Sequence, residues 1–130
     1  MTSEQTIEFN TIATLAGDHP RRHLEAGEFL FQPGDPGDSL FGVLKGSVQL
    51  TWGEDRGEVF GPGSCFGVGA LVDPEHRRFG TAMALEESEI VEMNREQFLF
   101  ALQELPMFAL EMLHDLETRL RDLKQADRAH

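Results

Sequence analysis

Few side chains in this 130-residue sequence are of types that commonly carry chemistry. Cys65 is the single cysteine, so an internal disulfide is excluded, and a lone cysteine is most often a small core residue. Metal binding needs convergent ligands, and no His-x-His pattern occurs among the histidines, His19, His23, His76, His114 and His130. A nucleophile elbow, a phosphate loop and a recognisably spaced carboxylate pair are also missing from the sequence. These patterns predict a protein that is not an enzyme and holds no metal.

The charge balance limits the classes of partner. The sequence has 11 Lys and Arg against 23 Asp and Glu, a formal net charge of −12. Nucleic acids and anionic membranes attract basic surfaces, so we expect no direct nucleic-acid binding and no membrane binding. The sequence contains no apolar run of about 20 residues, and its first ten residues lack the basic start of a signal peptide. We therefore expect a cytoplasmic protein that folds as one domain.

Residues 22–93 show the sequence pattern of short strands separated by turns. Most of the 13 glycines fall here, in turn sequences such as Pro33-Gly34-Asp35-Pro36-Gly37 and Gly61-Pro62-Gly63. Between the turns lie apolar runs of four to six residues. Val48, Leu50 and Trp52 alternate with polar residues, which is the period of a half-buried strand. The stretch predicts a sandwich, jelly roll or barrel.

Helices are predicted at both ends. Residues 7–15 carry a weak apolar pattern that stops at Gly17, which suggests a short N-terminal helix within residues 1–21. Asn94 and Gln97 form a capping-box pair at the start of a helix that runs to about Glu104. Pro106 suits the first turn of a second helix. That helix carries apolar residues at alternating spacings of four and three, the heptad period of a two-helix seam: Ala109, Leu113, Leu116, Leu120 and Leu123. Residues 94–130 are thus the C-terminal helices of a mainly β domain.

In this order the residues resemble a cyclic nucleotide-binding domain of the catabolite activator (Crp/Fnr) type. The similarity is carried by residues 27–35 and 37–48, which resemble the family's first two hairpins, by Gly63-Ser64-Cys65-Phe66-Gly67, and by Arg78. The resemblance implies a double-stranded β-helix, or jelly roll, with flanking helices, two of them C-terminal, and a pocket for cAMP or cGMP. It implies that the last helix closes the pocket and can form a homodimer. The family's transcription factors carry a helix-turn-helix after this point, and the sequence stops at His130, so we expect no DNA-binding module.

The resemblance assigns roles in the phosphate-binding cassette, the segment from residue 66 to Arg78. Arg78 and the backbone of Gly67, Gly69, Ala70 and Leu71 are implied to bind the cyclic phosphate. The family's cassette glutamate, which accepts from the ribose 2′-OH, is replaced by Val68. The hydroxyl residue that follows the family's arginine is replaced by Phe79. Without these two hydrogen bonds, the affinity for a cyclic nucleotide is expected to be lower by roughly a hundred- to a thousandfold.

Each assignment has an alternative. Arg78 is either an anion ligand or a surface arginine paired with Glu75 or another acid. Val68 and Phe79 are expected to pack in the core, where Phe79 could fill the pocket. The resemblance places Leu123 and Lys124 beside the base, and it places Cys65 where carbon monoxide-sensing members have a haem-ligating cysteine, although core packing is favoured for Cys65.

The seam of the last helix also has two interpretations. Leu113, Leu116, Leu120 and Leu123 either form a parallel dimer helix, which the resemblance favours, or pack on the domain's own roll. The phenylalanines Phe98, Phe100 and Phe108, together with Met112, are expected to pack on the roll. Asp115 with Arg119, and Glu117 with Arg121, are acid-first pairs four residues apart, which are expected to stabilise a long exposed helix.

Two functions follow as hypotheses. The first is a stand-alone regulatory module that senses a small anionic ligand, cAMP or cGMP weakly or another, and acts by dimerising or on a protein partner. The second is a ligand-free scaffold whose pocket is sealed by Val68 and Phe79. A further alternative to the first is the ligand-sensing domain of a Crp/Fnr-type transcription regulator that lacks its helix-turn-helix. No cofactor is expected beyond a cyclic nucleotide ligand.

Overall fold

The structure, a computed structural model, describes residues 17, 19–73 and 75–128. The helix predicted over residues 7–15 lies outside the described residues. From Arg21 onward the described chain forms eight strands followed by two long helices, with a one-turn helix between the sixth and seventh strands. The predicted mainly β fold with two C-terminal helices is confirmed.

Two four-stranded antiparallel sheets form the roll. The elements are β1 (Arg21–Leu24), β2 (Phe29–Phe31), β3 (Ser39–Lys45), β4 (Val48–Trp52), β5 (Arg56–Phe60), β6 (Cys65–Phe66), α1 (Gly69–Val72), β7 (Thr81–Ala84), β8 (Ser88–Asn94), α2 (Arg95–Glu104) and α3 (Met107–Arg128). The strand orders of the two sheets are β1-β8-β3-β6 and β2-β7-β4-β5. Within each sheet, strands that are distant in sequence lie side by side, as in the jelly roll that the resemblance implied.

The interior divides into two apolar clusters, and β3 contributes to both. Phe41 and Val43 pack inside the roll, whereas Leu40 packs on the other face of the strand against the helices. This second group, the helix-side cluster, has the buried members Leu40, Leu71, Val91, Met93, Ala101 and Phe108. Both faces of β3 are therefore covered, which explains why five successive residues from Ser39 to Val43 are buried. The predicted alternation of β4 is seen at Val48 and Leu50, both buried inside the roll.

The start of α2 has the predicted capping box. The Asn94 side chain accepts from the Gln97 amide at 2.9 Å, and the Gln97 side chain accepts from the Asn94 amide at 2.9 Å. The helix ends at Glu104, and α3 begins at Met107, directly after Pro106. In the part of the chain that the structure describes, no helix is long and apolar enough to cross a bilayer.

Two predictions about the helices are wrong. Phe100 does not pack on the roll: its side chain is 62% exposed, while Phe108 is buried and Phe98 and Met112 are partly buried in the helix-side cluster. Arg119 was expected to stabilise α3 by pairing with Asp115, but it binds the roll instead, at Glu58. The Glu58 side chain is only 13% exposed, so this pair is less screened by water than a pair on the exposed surface of the helix would be.

Candidate ligand-binding site

A small cavity lies between the roll and α3. Its volume is about 140 Å³, and its lining includes Gly67, Val68, Gly69, His76, Arg78, Phe79, Leu116 and Arg119. The tertiary fold therefore brings together one end of the predicted cassette, its arginine and two residues of the last helix. Ligand pockets usually measure about 300 Å³ or more, so the cavity as observed is smaller than a nucleotide site.

Arg78 is the buried charge of this site, at 5% exposure. Its backbone is fixed to the turn between β2 and β3: the Arg78 amide donates to the Asp35 carbonyl at 2.8 Å, and the Gly34 amide donates to the Arg78 carbonyl at 2.7 Å. The guanidinium donates from Nη2 to the Ser39 carbonyl at 2.7 Å and from Nη1 to the Gly67 carbonyl at 3.3 Å. The alternative of a surface arginine paired with Glu75 is wrong.

Aromatic rings and glycines complete the surroundings of the guanidinium. Its Cζ lies 4.6 Å from the ring centroid of Phe31 and 5.4 Å from that of Phe41, within the range of cation–π attraction. A Cβ at Gly37 would lie 2.3 Å from Nε of Arg78, and one at Gly67 would lie 2.9 Å from Nη1. Both glycines are therefore needed for the arginine to lie where it does, and Gly67 also has a φ of +85°.

The electrostatics of Arg78 are those of a buried cation. Burial lowers the pKa of its guanidinium, and the more distant carboxylates of Asp38, Glu92 and Asp35 oppose that shift. None of the described residues forms a salt bridge with it. A guanidinium has five N–H donors, and its two hydrogen bonds here go to neutral carbonyls. The arrangement leaves spare N–H donors on a guanidinium that has no salt-bridge partner among the described residues, at the wall of the cavity.

The backbone of the cassette is partly engaged. The Ala70 amide donates to the Gly67 carbonyl at 3.2 Å, and the Leu71 amide donates to the Val68 carbonyl at 2.9 Å. The side chains of Ala70 and Leu71 are buried. Two of the amides that the resemblance assigned to an anion thus close the turn of α1, whereas Gly67 and Gly69 line the cavity.

The two residues that replace the family's polar groups take different places. Val68 is partly buried against the helix-side cluster, as expected, and also lines the cavity. Phe79 is 66% exposed, with its ring centroid 5.7 Å from that of Trp52 at the cavity wall. The expectation that Phe79 packs in the core is wrong, because the chain leaves Arg78 on the inside and the next residue in sequence points outward. His76 is half-buried and lies over Gly69, where an added Cβ would be 2.9 Å from its Cε1.

The helix α3 covers the cavity from the other side. Leu116 and Arg119 line it. Arg119 binds Glu58 through Nε at 2.7 Å and Nη2 at 2.9 Å, and its Cζ lies 4.8 Å from the Phe60 ring centroid. Leu123 and Lys124, which the resemblance placed beside the base, do not line the cavity.

The seam residues divide between two faces of α3. Leu113 and Leu120 are 61% and 50% exposed, whereas Leu116 and Leu123 are half-buried. The second interpretation, packing on the roll, therefore applies to Leu116. The dimer remains a prediction for the exposed pair.

Cys65 lies beside this helix, half-buried in β6. Burial, and then the nearby carboxylates of Asp115 and Glu111, raise the pKa of its thiol to about 12. A thiol with so high a pKa stays protonated at neutral pH and is a poor nucleophile and metal ligand. The favoured interpretation of Cys65 as a core residue agrees with this environment.

Several residues of the site were not identified from the sequence. Phe31, Ser39 and Gly37 hold the guanidinium of Arg78, and Glu58 holds Arg119, although each pair is far apart along the chain. Only Gly37 carried a local signal, the repeated Pro-Gly-Asp turn, and that signal indicates a bend rather than a site.

Comparison with known proteins gives one consistent family. The sequence profile of the cyclic nucleotide-binding domain matches residues 21–104. The chain is 35% identical over 107 residues to the cyclic AMP receptor protein of Thermus thermophilus, and the alignment covers 78% of this chain and 49% of that protein. It is 31% identical over 118 residues to the global nitrogen regulator of Nostoc sp., covering 86% of this chain and 53% of that protein. The chain thus spans about half the length of these curated relatives.

Solved structures agree with the sequence relatives. A structure from a cyclic-GMP-dependent signalling pathway that regulates bacterial phytopathogenesis superposes with a TM-score of 0.72 at 28% identity, covering 89% of this chain and 95% of that chain. The catabolite activator protein of Thermus thermophilus superposes with a TM-score of 0.71 at 27% identity, covering 94% of this chain and 59% of that chain.

Proposed function

The chain belongs to the cyclic nucleotide-binding domain family and is of the Crp/Fnr regulatory type, and from this premise we propose that it senses a small anionic ligand through Arg78. The observation that carries the proposal is a buried guanidinium at a cavity wall, hydrogen-bonded to carbonyls and without a salt bridge among the described residues. A buried charge is strongly disfavoured unless it is paired, so an anion in the cavity would supply the missing partner.

The class of ligand is inferred from the relatives and from the donor geometry of the Arg78 guanidinium, whose N–H groups form a planar fork. A cyclic phosphate is a monoanion whose two free oxygens suit paired donors of a guanidinium. The relatives named for cyclic AMP and a cyclic-GMP pathway support cAMP or cGMP as the first ligands to test. Because Val68 offers no acceptor to a ribose hydroxyl, we expect binding weaker than a site with a glutamate there would give.

Binding of a nucleotide requires α3 to move. The cavity of about 140 Å³ is bounded by Leu116 and Arg119, and both belong to α3. A ligand of nucleotide size must therefore displace this helix or break the bridge between Arg119 and Glu58. The outer face of the same helix carries Leu113 and Leu120, exposed apolar residues through which a second copy or a protein partner would respond to the displacement.

Thermal unfolding with cAMP and cGMP at about 1 mM tests the proposal. A native-state ligand with a dissociation constant near 10 µM adds roughly 2.7 kcal/mol at that concentration. We expect an upward shift in Tm for the wild-type protein that is lost in Arg78→Lys, which keeps the charge without the fork. Arg77→Ala is the matched control, since Arg77 is exposed beside Arg78. A shift that survives in Arg78→Lys and Arg78→Ala would contradict the role of Arg78, and no shift with either nucleotide would contradict cAMP and cGMP as its ligands.

The alternative, a ligand-free interaction domain, is favoured by a separate observation. The cavity is below the usual ligand size, and the apolar Val68 lines it. For this function we expect no nucleotide-dependent change in the NMR amide shifts of α3 or of the cassette, at any nucleotide concentration tested. Shifts that saturate with added nucleotide would exclude it.

A further inference from the structure

A mixed group of metal-ligating side chains lies on the surface of the roll, where two turns meet. His23 is the third residue of β1, Glu25 follows that strand, and Glu87 precedes β8. The Nε2 atom of His23 lies 2.9 Å from Oε2 of Glu25 and 3.4 Å from Oε2 of Glu87. One ligand atom from each of the three residues falls within 4.8 Å of the others, and all three side chains are exposed.

The two separations that involve His23 are close to the edge length of a zinc coordination sphere. Zinc bonds of 2.0–2.1 Å in tetrahedral geometry separate neighbouring ligand atoms by about 3.3 Å. The two measured distances bracket that value. We propose that His23, Glu25 and Glu87 form a zinc site, bound through Nε2 and one oxygen of each carboxylate, with the fourth position open to water.

The backbone holds the two turns that carry these ligands in fixed relative positions. The Gly27 amide donates to the Ala84 carbonyl at 2.7 Å, and the Ala84 amide donates to the Glu28 carbonyl at 2.9 Å. In the sheet, His23 pairs with Glu89 in an antiparallel register. Ligands on paired strand ends need only side-chain rotation to close on an ion, so little ordering opposes binding.

The neighbouring acids are engaged elsewhere, which leaves Glu25 and Glu87 for the ion. An oxygen of Glu28 accepts from the Glu25 amide at 2.9 Å. Glu86 accepts from the Ser47 hydroxyl at 2.8 Å, and Glu89 pairs with Arg21 at 3.4 Å. This crowding of carboxylates around one imidazole gives a negative potential that a divalent cation relieves.

The donor set selects the type of ion. Imidazole nitrogen suits Zn²⁺ and related transition metals, whereas Mg²⁺ and Ca²⁺ prefer oxygen ligands alone. A zinc ion here joins the turn after β1 to the turn before β8 and stabilises the folded state over the unfolded chain, in which the ligands are dispersed. The site consists of residues separate from the cavity lining, so it neither requires nor excludes nucleotide binding.

Calorimetric titration of the untagged protein with zinc chloride near neutral pH tests the site. We expect one binding event that His23→Ala and Glu87→Gln each weaken by at least about tenfold. His114→Ala and Glu54→Gln are matched controls, because both residues are exposed and lie on other elements. In thermal unfolding, zinc should raise the Tm of the wild-type protein and of both controls but not of His23→Ala.

Each contrary result overturns the proposal. Zinc binding that is unchanged in His23→Ala would place the ion elsewhere. An equal loss in His114→Ala would indicate unspecific binding to surface histidines. Competition by excess Mg²⁺, with no effect of His23→Ala, would indicate an acidic surface without a zinc site. The absence of any binding heat or Tm shift would exclude the site altogether.

Discussion

The Arg119 guanidinium holds the Glu58 carboxylate in a two-pronged salt bridge, with Nε–Oε2 and Nη2–Oε1 distances of 2.7 and 2.9 Å. The pair joins the middle of α3 to β5, and only 13% of the Glu58 side chain and 29% of the Arg119 side chain are exposed. Arg119 also lies over Phe60 and lines the cavity. This ion pair therefore helps to hold the last helix against the roll, together with the packing of Phe108 and Met112.

Glu58→Gln should loosen α3. Glutamine keeps one acceptor but loses the charge, so we expect a loss of about 1–3 kcal/mol in the free energy of unfolding and faster hydrogen exchange in α3. Glu117→Gln is the control, because the Glu117–Arg121 pair is exposed within the same helix and should contribute under about 0.5 kcal/mol. Equal losses in the two variants, measured by urea unfolding, would show that the bridge to the roll has no special weight.

Gly37→Ala should destabilise the protein through Arg78. The new Cβ would lie 2.3 Å from Nε, so either the guanidinium leaves its place between the rings or the turn shifts. We expect a loss of about 1–3 kcal/mol in the free energy of unfolding, as for overpacking of a core. Gly61→Ala is the control, since a Cβ there meets open space and the backbone does not require glycine. Unchanged stability in Gly37→Ala would mean that the arginine is mobile.

Val68→Glu with Phe79→Ser should create or strengthen binding of cAMP. The change returns an acceptor and a hydroxyl to positions that line the cavity, and we expect a gain in affinity of at least about tenfold. Val72→Glu is the control, because Val72 lies in the same short helix but is 80% exposed. No gain by calorimetry would mean that the cavity cannot admit a nucleotide.

Cys65 should resist alkylation in the native protein. Burial is the main cause of the rise in its thiol pKa from 9.0 to about 12. A neutral thiol is favoured by the fold, so its contribution to stability is present below pH 9 and is lost as the pH rises toward 12. At about pH 8 we expect iodoacetamide to react at least about tenfold more slowly than with the urea-unfolded chain. Equal rates would show an accessible thiolate.

Leu113→Asp with Leu120→Asp should leave the domain folded, because these side chains of α3 are 61% and 50% exposed. If this face forms the predicted dimer, light scattering will give the mass of a dimer for the wild-type protein and of a monomer for the double variant. Leu116→Asp is the contrasting variant: Leu116 lines the cavity, so it should lower the Tm instead. A wild-type protein that is monomeric at all concentrations would contradict the dimer.

The architecture followed closely from local patterns. Turn sequences and the period-two alternation at Val48 and Leu50 predicted strands, and the Asn94–Gln97 pair predicted the start of α2, because strand, turn and cap signals act over only a few residues. The candidate site followed less completely. The resemblance located Arg78 and the cassette, but the neighbours of the guanidinium come from β2, β3 and the intervening turn, with no local signal to identify them.

The sequence by itself determined the order of strands and helices, the acidic surface and the absence of a recognisable catalytic motif. Only the tertiary structure decided that Arg78 is buried while Phe79 is exposed, that Arg119 binds Glu58 instead of Asp115, and that His23 meets Glu87. The physical reason is the range of the interactions. Propensity, capping and turn chemistry act between near neighbours in sequence, whereas burial and ion pairing depend on which distant segments the fold brings together.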